Sequence, residues 1–293
     1  MRSVGRVVSD SMIGLKLPDY ALYSARVITV LGQNPGPFTG PGTNTYLIGS
    51  GRRRLLVDAG QGVAAYGELL EKTLRELAGG AGIGEIILTH AHVDHIGGVP
   101  QVRARFGEVE VRKMPWPEND RAAGVAITPL SDGAVIEADG AALSALHTPG
   151  HAPDHLCYYL EAERALFSGD VVLGAGTTVI PDDSGDLAQY MDSLRKLLAL
   201  DLDVIYPGHG PPIRNPQHKI HQYIEHRELR ERQILQALKD GARAVPEIVT
   251  LIYTDVPESL HPAAASSVRA HLKKLKHERV AVEQEDDGRW SLR

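Results

Sequence analysis

The feature that most constrains this chain is the run Thr89-His90-Ala91-His92-Val93-Asp94-His95, which puts four metal-capable side chains within six residues. Neutral imidazole offers a nitrogen lone pair near pH 7 and a carboxylate offers oxygen, so such a cluster suits divalent cations. The cluster follows Glu85-Ile86-Ile87-Leu88, a short apolar run that reads as a buried strand. A turn leaving a strand can aim alternate residues at two neighbouring ions. Three further candidates come singly: His151 after Thr148-Pro149-Gly150, Asp170 after Ser168-Gly169, and His209 after Pro207-Gly208. Each follows a strand-like run, and adjacent glycine permits a tight backbone turn.

The rest of the chain fits a soluble α/β protein. With 293 residues, 43% hydrophobic and 23% charged, it can bury a sizeable core. Strand-like segments run from Ala25 to Leu31, Thr45 to Ile48, Arg54 to Asp58, Val109 to Val111, Ala142 to Leu146, His155 to Leu160, Ala165 to Ser168 and Asp203 to Tyr206. Val63 to Leu77 and Leu187 to Leu200 have helical periodicity. Polar residues at strand ends place the site along sheet edges. After about Lys219 the composition changes. Ile220 to Leu238 and Ser266 to His277 read as helices, and a short hairpin ends the chain, so 219–293 resembles a winged-helix module appended to a catalytic domain of 1–218. The tail holds 13 Lys+Arg and 12 Asp+Glu, near +1, which leaves the remainder near -7.

The net charge of -6 argues against general attraction to nucleic acid. The single cysteine, Cys157, excludes a disulfide framework and a cysteine zinc site, and reads as a small buried hydrophobe. No apolar stretch is long enough to cross a bilayer, and Met1 to Leu17 lacks a continuous apolar block, so the expectation is a cytoplasmic protein with no membrane partner.

Thr-His-Ala-His-Val-Asp-His followed by separate His, Asp and His resembles the metallo-β-lactamase superfamily, with the glyoxalase II and RNase Z type of site. The resemblance implies a four-layer αββα sandwich. It implies that His90, His92 and His151 hold one ion, that Asp94, His95 and His209 hold a second, and that Asp170 bridges them. Two Zn2+ are the implied cofactors, with Fe or Mn also suited to such donors. Two close cations lower the pKa of a bridging water to near 7, giving a hydroxide that attacks carbon or phosphorus. Asp94 and Asp170 could accept a proton from that nucleophile. Gly32 to Pro37, Gly42 to Leu47, Phe167 to Asp170, Gly176 to Val179, Ile205 to Pro211 and His271 to Leu275 resemble the β-lactamase-like protein 2 group over nearly the whole chain. That group includes endoribonucleases on single-stranded RNA, and related fungal proteins with the same tail include thioesterases. The implied function is therefore endoribonuclease, or else a hydrolase of small thioesters, esters, lactones or β-lactams. Ala91 and Val93 depart from the animal members, which carry a Trp and an Arg there. The missing arginine removes a potential phosphate contact.

Several residues carry two readings. Asp58 matches a superfamily position that fixes a ligand histidine's tautomer, but an N-cap or turn role suits it too. Asn44 and Thr45 could contact a substrate near the metals, or serve a turn. His155 is either a helper beyond the ligands or a buried, satisfied histidine. His218, His221 and His226 lie on a helix pattern and read as solvated. Arg269, Lys273, Lys274 and Lys276 form a basic run that reads as a solvated helix face, with phosphate contact as the rival.

Overall fold

The computed structural model describes residue 12 and residues 14–241, 243–254, 258, 261–284 and 288–293. Most of the N-terminal segment read for a leader lies outside them. Among the described residues the first sheet has seven strands: β1 (Tyr20–Leu22), β2 (Val27–Leu31), β3 (Asn44–Ile48), β4 (Arg53–Val57), β5 (Gly82–Ile87), β6 (Glu110–Lys113) and β7 (Thr128–Pro129), paired in that order. β1 to β4 pair antiparallel and β4 to β7 parallel. Helices α1 (Ala64–Leu77), α2 (Val93–Ile96) and α3 (Val99–Phe106) make the crossovers. The second sheet contains β8 (Val135–Ala138), β9 (Ala141–His147), β10 (Leu156–Leu160), β11 (Ala165–Gly169) and β12 (Val204–Pro207). They are ordered β12-β11-β10-β9-β8, with β11 and β12 parallel.

Strand alternation explains how these sheets are used. Successive side chains point to opposite faces. Ile28, Val30, Leu47 and Leu56 pack in one core with Leu70 and Leu74 of α1 and Val99 and Val102 of α3. Their neighbours Val27, Tyr46, Ile48, Leu55 and Val57 join a second core with Leu143, Leu156, Tyr158, Phe167 and Tyr206 of the other sheet. One sheet is thus apolar on both faces, covered by helices on one side and by the second sheet on the other. Cys157 is buried, its Sγ 3.5 Å from the Ser168 carbonyl.

Helix α4 (Leu187–Leu198) begins at Asp186, whose carboxylate accepts from the Gln189 N–H at 3.0 Å. Then follow α5 (Pro216–Lys239), α6 (Val245–Ile252), α7 (His261–His277) and the hairpin β13 (Ala281–Glu283) with β14 (Trp290–Leu292). Ile234, Leu238, Ile248, Val249, Val268, Leu272, Leu275 and Trp290 form their core. The described chain groups into two compact units that interleave in sequence. One comprises the residues up to His147 with Asp154–Thr177 and Asp201–Pro216. The other comprises Thr148–Pro153, Thr178–Leu200 and the residues from Gln217 onward. Among the described residues no helix is long and apolar enough to cross a membrane.

Candidate metal centre

The first unit delivers its metal-capable side chains from the ends of three strands. After β5 the chain turns at Thr89. The Asp58 carboxylate accepts from both the Thr89 N–H (2.8 Å) and its hydroxyl (2.9 and 3.1 Å). Thr89 Oγ lies 3.0 Å from His90 Nδ1, and His90 Nε2 lies 3.0 Å from His92 Nδ1. His92 is the N-cap of the single turn α2, which carries Asp94 and His95. Consecutive residues on a helix diverge by about 100°, so Asp94 and His95 reach one point from different sides. Asp170 follows β11, and His209 lies two residues beyond β12.

His95 decides what this geometry can hold. Its Nδ1 lies 2.7 Å from Asp58 Oδ2, so that nitrogen carries the proton and donates. The buried Nε2 makes no hydrogen bond, yet sits 3.5 Å from Asp94 Oδ2 and 3.5 Å from Asp170 Oδ1. His209 Nε2 completes the group, 3.1 Å from Asp94 Oδ2 and 3.4 Å from Asp170 Oδ1. Two carboxylates facing imidazole lone pairs repel unless a cation or a proton lies between them. The separations match the edge of a tetrahedron, about 3.3 Å, when donors stand ~2.0–2.1 Å from zinc. The residues present therefore fit a divalent metal. The ligand atoms of His90, His95 and Asp170 also lie within 4.8 Å of one another, so this group shares His95 with the Asp94, His95 and His209 group.

The electrostatics report the same frustration. Burial alone would lower the His95 pKa, but the carboxylates of Asp94, Asp58 and Asp170 overcome it and raise the pKa well above the ordinary value. His209 is likewise depressed by burial, then driven up to about 9 by Asp170 and Asp94. Burial pushes Asp94 and Asp170 up, and the histidines outweigh it. Asp94 falls to about 2, and Asp170 falls well below the carboxylate range. Such a site binds positive charge.

Asp58 occupies the left-handed region with φ 60°, a conformation costly for a residue other than glycine. Its three hydrogen-bond partners hold it there. Two glycines answer to crowding. A Cβ on Gly169 would come 2.5 Å from His155 Nε2, and one on Gly208 would come 2.4 Å from Asp170 Oδ1.

Two substrate-facing expectations give way. The Asn44 side-chain amide donates to the carbonyls of Pro207 (3.0 Å) and Gly210 (2.8 Å), and its backbone N–H donates to Gly208 (2.7 Å). It clamps the His209 loop instead of presenting a group to substrate. Thr45 is fully buried; its hydroxyl donates to the Val30 carbonyl at 2.9 Å and accepts from the Tyr66 hydroxyl at 2.9 Å. His155 is buried, and its Nε2 accepts the Asp170 N–H at 3.1 Å, which fixes the backbone of a carboxylate ligand candidate. His226 is not a solvated helix residue: it is half-buried, and burial with neighbouring Arg227 and Arg230 depresses its pKa to about 4.

In the second unit His151 Nδ1 donates to the Val179 carbonyl at 2.7 Å, so Nε2 is the nitrogen that can serve a metal, and Thr178 Oγ lies 3.3 Å from the same Nδ1. Sequence reasoning missed Thr178. It also missed Thr43, whose hydroxyl is 3.4 Å from Asp94 Oδ2 and whose backbone bridges to His209. Asn34 holds Thr43 in place by accepting its N–H at 2.9 Å and donating to its hydroxyl at 3.0 Å. The Gly/Pro-rich loop that contains Asn34 was the available signal.

Residues 38–209 match the metallo-beta-lactamase superfamily, and residues 244–290 match the beta-lactamase associated winged helix domain. A beta-lactamase-like protein 2 homolog of Caenorhabditis elegans is 41% identical over 86% of this chain and 84% of its own. An atrochrysone carboxyl ACP thioesterase of Aspergillus fumigatus is 40% identical over 82% of this chain and 78% of its own. The crystal structure of a metallo-beta-lactamase family protein from Thermus thermophilus superposes with a TM-score of 0.74 at 25% identity, over 94% of this chain and 99% of that one.

Proposed function

Because the chain belongs to the metallo-β-lactamase superfamily, we propose that it is a dinuclear metallohydrolase acting on acyl thioesters. The observation that carries the reading is the His95 Nε2 faced by two carboxylates, with His209 opposite. In this reading Asp94, His95 and His209 hold one ion, His90, His92 and His151 hold the other, and Asp170 serves both. Zinc suits the mixed nitrogen and oxygen donors first, with iron or manganese as alternatives. When bound, the two cations supply Lewis acidity toward the substrate oxygen and an activated water nucleophile near neutral pH.

The chain's own residues set the geometry. Asp58 holds His95 as its Nδ1–H tautomer and keeps Nε2 free of the proton. The Val179 carbonyl does the same for His151. Asp94 and Asp170 stay ionised, and their carboxylate oxygens are the groups placed to take a proton from the attacking water.

The thioester is favoured by the named activity of the Aspergillus fumigatus relative and by two features of the chain. Val93, exposed and apolar directly before Asp94, puts hydrocarbon where a guanidinium would meet phosphate. The basic run of α7 is neutralised at home. Arg269 pairs with Asp182, Lys274 with Glu231 and Glu278, and Lys276 with Glu283, while Lys273 donates to the Asp182 carbonyl. Little field remains for an RNA backbone.

The test is turnover of short acyl thioesters, esters, β-lactams and single-stranded RNA by metal-loaded protein, with and without chelator. Chelator-sensitive thioester hydrolysis is expected, with two metal ions per chain by elemental analysis. RNA cleavage without thioester turnover would replace the substrate assignment, and turnover that survives chelation undiminished would overturn the metal-dependent reading.

A further inference from the structure

His151 stands on a short connection, Thr148–Pro153, that groups with the second unit. The Ser193 hydroxyl donates to the Pro149 carbonyl at 2.7 Å, and the Asp186 N–H donates to the Gly150 carbonyl at 2.8 Å. A Cβ on Gly150, whose φ is 128°, would come 2.3 Å from the Tyr190 backbone nitrogen, so glycine lets the connection lie against α4. The imidazole is aimed by the Val179 carbonyl, 2.7 Å from Nδ1. That carbonyl must itself be held, because each residue keeps two soft backbone torsions. The holding groups come from α5 and α7. Ile220, Tyr223, Arg227 and Ile234 make one buried face of α5, so Arg227 puts a guanidinium where the helical period calls for hydrocarbon. Its charge is answered by the Thr178 carbonyl, 2.6 Å from Nη2, and by the face of Tyr190, whose ring centre is 5.4 Å from Cζ. From α7 the Ser266 hydroxyl reaches the Ile180 carbonyl at 3.4 Å and Asp182 Oδ1 at 3.2 Å, and Arg269 Nε donates to Asp182 Oδ2 at 2.5 Å. Thr178 and Ile180 are thus anchored on either side of Val179.

We propose that Arg227 is a positioning residue for His151. By anchoring Thr178 from α5 it holds the Val179 carbonyl on Nδ1, which keeps the imidazole in its Nδ1–H tautomer and leaves the Nε2 lone pair for a metal. Ser266 of α7 steadies the same segment from the other side of Val179. The helices that follow the catalytic residues in sequence therefore tune one ion of the pair, the one that His151 holds. This rests on the reading of His151 as a metal ligand. Arg227 touches neither the ion nor the substrate; it acts through Thr178 and Val179.

Zinc affinities of the full-length protein, measured by competition with a chelator, and ring-nitrogen NMR of its histidines in the chelated state test the proposal. His151→Ala should lose one of the two ions. Arg227→Met should weaken that same ion about tenfold or more and leave the other unchanged, so the double variant should bind zinc as His151→Ala does. In chelated Arg227→Met the His151 ring should pass from Nδ1–H alone to a mixture of tautomers. Arg227→Lys, which keeps a donor for the Thr178 carbonyl, should recover part of the lost affinity, and Arg232→Met on the exposed side of α5 should change nothing. If Arg227→Met fails to fold, Ser266→Ala takes its place and should weaken the same ion severalfold. A variant that is less stable by thermal midpoint, yet keeps both zinc affinities and the His151 tautomer of the parent, would overturn the proposal while leaving the ligand reading intact. His151→Ala that retains both ions would overturn the ligand reading itself, and the proposal with it.

Discussion

Two buried clusters in the first unit use similar acids to opposite ends. Around Lys113, which is fully buried, Nζ lies 2.6 Å from Asp154 Oδ2, 2.7 Å from Asp120 Oδ1 and 2.5 Å from the Met114 carbonyl. Around His95, two carboxylates converge on imidazole nitrogens, which carry positive charge only when protonated. The first cluster carries its own positive charge on a covalent stem. The second must borrow one, as a proton or as a metal. Buried acids alone therefore do not mark a functional site; what separates scaffold from site is whether the fold provides the compensating charge.

The sharpest way to break this comparison is to remove one borrowed-charge ligand. Asp170→Asn should lower turnover by about 10³-fold or more, in line with loss of charge stabilisation at the reacting centre, and reduce metal content, with little loss of stability in the chelated state. A variant that keeps both metals and activity would dismiss Asp170 from the centre. The second test removes the built-in charge. Lys113→Met leaves Asp154 buried without its partner and should cost about 3–5 kcal/mol of stability by denaturant unfolding. A loss below about 1 kcal/mol would show that Asp154, whose carboxyl burial raises more than Lys113 lowers, simply takes up a proton.

The third and smallest effect is a pH response confined to chelated protein. His209 titrates near 9 in the folded chain without metal, against about 6.5 when unfolded. The folded state binds the extra proton in between. This stabilisation is complete below pH 6.5 and disappears as pH rises through about 9, at most about 3 kcal/mol. The thermal midpoint of chelated protein should fall across that window, and that of metal-loaded protein should not. Identical profiles would mean that no metal occupies the His209 site.

The candidate metal ligands stand out in the sequence because such chemistry needs particular residue types at strand ends. The strands that deliver them were legible too, since β11 and β12 are short and largely apolar and β5 ends in the buried pair Ile86-Ile87, each followed by turn residues. β8, with exposed Val135 and Glu137, lacks such a pattern and was not read. α2 is hidden inside the ligand motif itself, where spacing alone cannot tell a helical turn from a loop. Asn44 and Thr45 misled because a polar residue after a Gly/Pro loop looks the same whether it faces solvent or ties one loop to another. The distant partner, Pro207 to Gly210, is invisible in the local sequence. The Lys113 cluster shared that fate: its partners lie 7 and 41 residues away, and a single lysine in a strand has no pattern. The change of composition after Lys219 likewise carried no sign that Thr148–Pro153 and Thr178–Leu200 belong with the C-terminal residues.

Asp170 and His209 follow the adjacent parallel strands β11 and β12, tied again where the Gly208 N–H donates to the Gly169 carbonyl at 2.8 Å. Their separation is thus set by the sheet's own hydrogen-bonding repeat, with one further tie where the Gly174 N–H donates to the His209 carbonyl at 2.8 Å. Doubling the length of the connection between them costs only about 0.6 kcal/mol in closure entropy. Evolution can therefore change the length of the part of this segment beyond Val179 without moving Asp170 or His209, so the surroundings of the candidate centre can vary while the geometry of this pair is inherited.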